Sequence, residues 1–131
     1  MNGEFGATTL NKWRSLTKLL ESLTKKGKLK WRETSNDDEF LTSHAGIVVV
    51  LRQTTSVDTP EDLYVVSLRN KQGKVIDVFD DELLDRDQTE TNYFMLLKEL
   101  MLGIRRNMSG ADEALDELLQ ALSEEDQDLP F

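Results

Sequence analysis

The 131 residues contain no cysteine. That excludes disulfides, thiolate nucleophiles and cysteine-held zinc. Histidine occurs once, as His44, so no two imidazoles can share a metal. No apolar run approaches the ~20 residues that span a bilayer. The opening residues MNGEFGATTL lack the basic and apolar regions of a signal peptide. Neither GxGxxG nor a GKS/GKT phosphate loop is present. The usual tools of nucleophilic, metal and cofactor chemistry are therefore missing. A cytosolic protein with no cofactor, no bound metal and no membrane partner is expected.

What is present supports a folded domain. Hydrophobic residues make up 38% and charged residues 31%, richer in core-forming side chains than a disordered acidic tail. The length fits one domain, spanning 1–131 with frayed ends at 1–8 and 123–131. The net charge of -9 is unevenly spread. Residues 1–32 carry eight bases against two acids, residues 33–57 one against four, and residues 58–131 seven against nineteen. Such a split either draws the two halves together within one fold or steers different partners.

Hydrophobic spacing locates the elements. Leu10, Trp13, Leu16, Leu20 and Leu23 recur every three or four residues, which predicts a helix over 9–26 that stops at Gly27. Residues 28–34 alternate, with Leu29 and Trp31 opposite Lys28, Lys30 and Arg32, as in a half-buried strand. A second strand is expected over 40–53, bulged at Gly46 where the apolar parity changes. A loop through Pro60 follows. Two β-rich runs flanking Asn70-Lys71-Gln72-Gly73 then predict a hairpin.

The acidic connector 80–90 is expected to be pinned by Leu83 and Leu84. Helix 92–107 should bury Tyr93, Leu96, Leu97, Leu100, Met101 and Ile104, with Gly103 allowing close approach of another backbone. Phe94 and Met95 widen its apolar surface beyond one stripe. Ser109 and Asp112 resemble a capping pair that starts a last helix, with Ala111, Leu115, Leu118, Leu119 and Leu122 on its apolar face. The expected fold is α+β: an N-terminal helix, a four-stranded antiparallel meander and two C-terminal helices packed on the sheet.

Candidate chemistry is sparse. His44 could serve as a general base beside a carboxylate; its ordinary role is a half-exposed strand residue. Asp37, Asp38 and Glu39, and likewise Asp80, Asp81 and Glu82, offer oxygen ligands but not the spacing of a calcium loop, and solvated turns explain them. Lys25, Lys26, Lys28, Lys30 and Arg32 surround Trp31, a pattern that could hold phosphates and stack a base. The alternation instead puts Trp31 in the core, away from the lysines. A helix-turn-helix at the C-terminus is rejected, because its second helix would bring carboxylates to phosphates.

Asp112, Glu113, Asp116 and Glu117, with Asp80, Asp81 and Glu82, are the candidate partner-binding residues. A row of carboxylates can occupy a basic groove on another protein, as in inhibitors that imitate nucleic acid. The leading expectation is a non-enzymatic interaction module, an inhibitor or accessory protein. It would bind a protein partner through its acidic C-terminal half or a sheet edge, with homodimerisation open. The alternatives are a nucleic-acid-associated protein using residues 25–32 and an enzyme with an unrecognised carboxylate site.

GKLKWRET at 27–34, Phe40, the IVVVL strand, the Asn70 to Val75 turn and the closing ALDELLQAL together resemble a loose group of small stand-alone bacterial proteins of uncharacterised function. The resemblance runs from about Leu16 to Leu122. Its motifs are structural and transfer no site residue. It implies a bacterial or phage setting and an accessory, non-enzymatic role.

Overall fold

A computed structural model describes residues 6–55, 61–87 and 90–127. Helix α1 covers Ala7–Lys25 and buries Leu10, Trp13 and Leu20. Its buried arc also takes in Thr17, Glu21 and Thr24, which leaves Leu16 and Leu23 only half-buried. The helix stops where Gly27 turns left-handed at φ +72°. There the Gly27 N–H donates to Thr24 O at 3.0 Å and the Lys28 N–H to Leu23 O at 2.8 Å, satisfying carbonyls that the helix itself leaves open.

The sheet has five strands, not four. They are β1 (Arg32–Glu33), β2 (Glu39–His44), β3 (Ile47–Thr55), β4 (Asp62–Arg69) and β5 (Val75–Asp80), antiparallel and in sequence order. The extra strand comes from Gly46. The change of parity there is a hairpin turn rather than a bulge, with Ala45 at φ 53° and Gly46 at φ 79°. Two successive positive φ values give the tight turn whose twist matches paired strands, so Phe40 lies across from Leu51 and Thr42 from Val49. The strand expected over 28–34 shrinks to Arg32–Glu33. The helix-ending turn uses the Lys28 N–H, and Lys30 O accepts from Thr42 Oγ1 at 2.8 Å.

The β4–β5 hairpin forms as expected. Asn70 Oδ1 accepts from the N–H groups of Gln72 and Lys74, both at 3.0 Å. Of the loop through Pro60, residues 56–60 lie outside the described residues; Thr54 and Thr55 before them belong to β3, and β4 begins at Asp62 after the bend at Glu61. Of the expected frayed ends, 1–8 and 123–131, residues 1–5 and 128–131 also lie outside them. Residues 7 and 8 are helical, as are 123–127.

Helix α2, a single turn at Asp81–Leu84, replaces part of the acidic connector, and Leu84 is fully buried. Helix α3, Tyr93–Ser109, buries Tyr93, Leu97, Leu100, Met101 and Ile104, with Leu96 half-buried against the core. The core lies between α1, α3 and one face of the sheet, where Phe40, Val49, Leu51, Tyr64, Val66 and Phe79 are buried. Trp13 stacks on Phe79 with ring centroids 5.1 Å apart. Phe94 meets Tyr64 edge-on at 5.5 Å, while Met95 stays 42% exposed. A Cβ at Gly103 would meet open space, so no backbone approaches closely there.

Helix α4, Ala111–Gln127, departs from expectation most. It has no buried residue and is not packed on the sheet. Among the described residues the fold is α+β, a five-stranded antiparallel meander with four helices, of which α1 and α3 close the core.

Candidate interaction surface

α4 begins at Gly110, whose left-handed φ of 72° ends α3. Ser109 does not cap the new helix; it is the last residue of α3, and its hydroxyl donates back to Arg106 O at 3.1 Å. Asp112 instead accepts from the Arg106 guanidinium at 2.6 and 3.2 Å. That bond holds the first turn of α4 against the end of α3. Beyond it the helix is open to solvent.

Leu115, Leu118, Leu119 and Leu122 are 47%, 54%, 60% and 52% exposed. Their spacing puts them on one stripe. Full burial of a leucine is worth about 1.5–3 kcal/mol, so half-exposed ones leave roughly half of that unrealised each. Asp112, Asp116 and Glu125 flank the stripe, Asp126 continues it towards the C-terminus, and Glu113, Glu117 and Glu124 take the opposite face, with no base between 111 and 127. An apolar stripe edged by charge of one sign is the surface a helix presents to a complementary groove.

The acidic candidates do not form one surface. Asp80, Asp81 and Glu82 lie at α2, beside the start of α3: Asp85 accepts from the N–H groups of Tyr93 and Phe94 at 2.6 and 3.0 Å. α4 leaves from the other end of α3, about 25 Å away along a helix of this length. Two of the three are also occupied locally. Asp80 Oδ1 accepts from the Leu83 N–H at 2.9 Å, and Asp81 Oδ1 from the Tyr64 N–H at 2.7 Å. Asp81 is 5% exposed, and burial pushes its carboxyl up from 3.8 to about 6. Glu82 is exposed. Among the described residues no three carboxylates or histidines gather in a metal-binding group.

The basic segment is dispersed too. Lys25 pairs with Glu21 at 3.1 Å, and that hydrogen bond and charge raise its pKa. Lys26, Lys28, Lys30 and Arg32 are exposed. Trp31 is not: it is 8% exposed and donates its indole N–H to Thr24 Oγ1 at 2.9 Å. The ring within this segment is therefore not available for a base to stack on. His44 is exposed at the end of β2, next to the Ala45–Gly46 turn.

Leu19 is the residue that sequence reasoning passed over. It lies outside the expected stripe of α1 and is 58% exposed. The adjacent Leu19–Leu20 pair, which widens the apolar arc, was the available signal. No helix among the described residues is long and apolar enough to cross a membrane. Comparison with protein-family models, with curated proteins and with solved structures finds no match to this chain.

Proposed function

We propose that this chain is a small protein-interaction module with no catalytic activity of its own, and that α4 is its docking element. One observation carries the proposal. A 17-residue helix leaves the body with four leucines on one stripe, all about half exposed, and carboxylates around them. An isolated helix of this length is marginal in water and gains most of its stability from packing its apolar face. A partner with an apolar groove and a basic rim supplies that packing. The leucines provide the binding free energy, and the carboxylates set orientation and association rate.

The test is copurification from cells expressing the tagged chain, comparing wild type with the double variant Leu115→Glu, Leu119→Glu. A protein retained in near-stoichiometric amount by wild type and lost from the variant is expected. The circular dichroism of the variant should match wild type, and so should its melting temperature at a dilution where both are monomeric, because neither side chain is buried within the chain. If wild type and variant retain the same proteins, α4 is not the docking element.

A further inference from the structure

Resting on the reading of α4 as a docking element, we infer that its partner is a second copy of this chain, which receives the helix in an apolar groove between α1 and the sheet. The groove has a volume of about 440 Å³. Leu16, Leu19 and Leu23 of α1, Leu29 of the following connection, and Ile47 and Leu68 of the strands line it. Thr42 and His44 are its polar members, and no carboxylate lines it.

The groove exists because α1 is apolar over more than one stripe. Its buried arc runs through Leu10, Trp13, Thr17, Leu20 and Thr24. Leu16, Leu19 and Leu23 fall beside that arc, over the end of the sheet where β2 turns into β3. They are covered only in part.

The surroundings are cationic. A depression along α1 shares Leu16 and Leu19 with the groove and reaches Lys12. Lys26 follows Leu23 by three residues and is exposed, as is Lys28 before Leu29; Lys30 lines the neighbouring cleft with Trp31, Asp112 and Glu113. The Lys71 side chain lies across the β2–β3 turn, its Cε 2.6 Å from where a Cβ on Gly46 would stand. The acid of this part of α1, Glu21, turns to the other side, where it pairs with Lys25 and lines a cleft with Glu99 of α3.

This groove needs an amphipathic helix with leucines on one face and negative charge around them. α4 has that composition, with seven carboxylates and no base. Within one chain the two surfaces stay apart, since α4 buries nothing. Two copies related by a twofold axis resolve both at once. Each gives a helix and receives one, and the assembly closes with this groove and this stripe both covered. A helix of this length is about 25 Å long and about 10 Å across. Counting both surfaces, two docked helices bury on the order of 1,000 Å², the lower bound of a specific interface.

The experiment is sedimentation equilibrium on the full chain and two single variants, Leu119→Glu on the helix and Leu19→Glu in the groove. Both positions are exposed, so both variants should keep the wild-type circular dichroism. Wild type is expected to be dimeric at about 100 µM in low salt and to weaken at least about tenfold in 0.5 M salt, as surface charge is screened. Each variant alone is expected to be monomeric at that concentration. An equimolar mixture of the two should form a heterodimer, weaker than the wild-type dimer, because one intact helix and one intact groove remain and half of the interface is made.

A wild-type monomer at about 100 µM in low salt overturns self-docking, whether α4 binds its own groove or a different protein. So does a dimer indifferent to Leu119→Glu, which would point to pairing through another surface such as the β5 edge. If self-docking fails while copurification of another protein still depends on the leucine stripe, the interaction reading stands without it. Loss of both removes the two together.

Discussion

Trp31 gives its indole N–H to the hydroxyl of Thr24, 2.9 Å away and seven residues earlier in the chain. The bond spans the turn at Gly27 and locks the connection between helix and sheet. It also takes the ring out of reach of any partner. Thr24→Val keeps the shape and removes the acceptor, leaving a buried donor unpaired at a cost of about 1–2 kcal/mol. Chemical denaturation should read that loss. In the wild type, Trp31 emission should stay that of a buried indole when an oligonucleotide is added. A quench or shift abolished by Trp31→Phe would reinstate a base-stacking role for this segment.

Stability should fall as pH rises through the titration of Asp81. Burial pushes this carboxyl to about 6 against the Tyr64 N–H bond, which favours the charged form, and the charges of Asp80 and Glu82 add to the push. The folded chain thus holds the proton more tightly than the unfolded chain. Between about pH 4 and pH 6 the folded state binds more protons, so stability declines with rising pH, and above that range the full penalty is present. Asp81→Asn keeps an oxygen for the Tyr64 N–H and removes the charge. It should stabilise the fold by on the order of 1–2 kcal/mol at pH 7 and by nothing below about pH 4. Urea titrations across that range decide it; an advantage independent of pH would have another cause.

Leucines on α3 and α4 should respond very differently to truncation. Leu97 is fully buried and Leu118 is 54% exposed. Leu97→Ala is expected to cost about 2–5 kcal/mol, the range for a core cavity. Leu118→Ala should change the stability of the monomer by less than about 0.5 kcal/mol. A large loss at Leu118 under monomeric conditions would mean that α4 packs on the body after all.

The β2–β3 turn is open to improvement. Ala45 is held at φ 53°, a conformation that costs alanine more than asparagine or glycine. Ala45→Asn produces the Asn-Gly pair preferred in such turns and should raise stability by about 0.5–1 kcal/mol. A raised melting temperature with an unchanged circular dichroism spectrum is the expected result. No gain would show that some contact of the Ala45 methyl outweighs the backbone relief.

That turn also shows where sequence reasoning stops. A change of parity at Gly46 fits a bulge in one long strand and a hairpin between two short ones equally well. Without asparagine before the glycine the usual sign of a tight turn is missing. Pairing decides it: Phe40 and Leu51 lie across from each other, which one continuous strand cannot achieve. Similarly, the alternation at 28–34 correctly separates Trp31 from the lysines but overstates the strand, because the bonds that end α1 and reach from Thr42 take up that backbone.

Spacing alone determined the three long helices, the β4–β5 hairpin and the leucine stripe of α4, because each is a local pattern whose period is set by backbone geometry; the single turn of α2 was not legible in that way. Whether a stripe meets a neighbour is not local. The stripe of α3 is buried and that of α4 is bare, though both are regular. The difference arises at Gly110, where the chain turns away from the core, and only the folded arrangement leaves an apolar groove beside α1 apart from the bare stripe of α4.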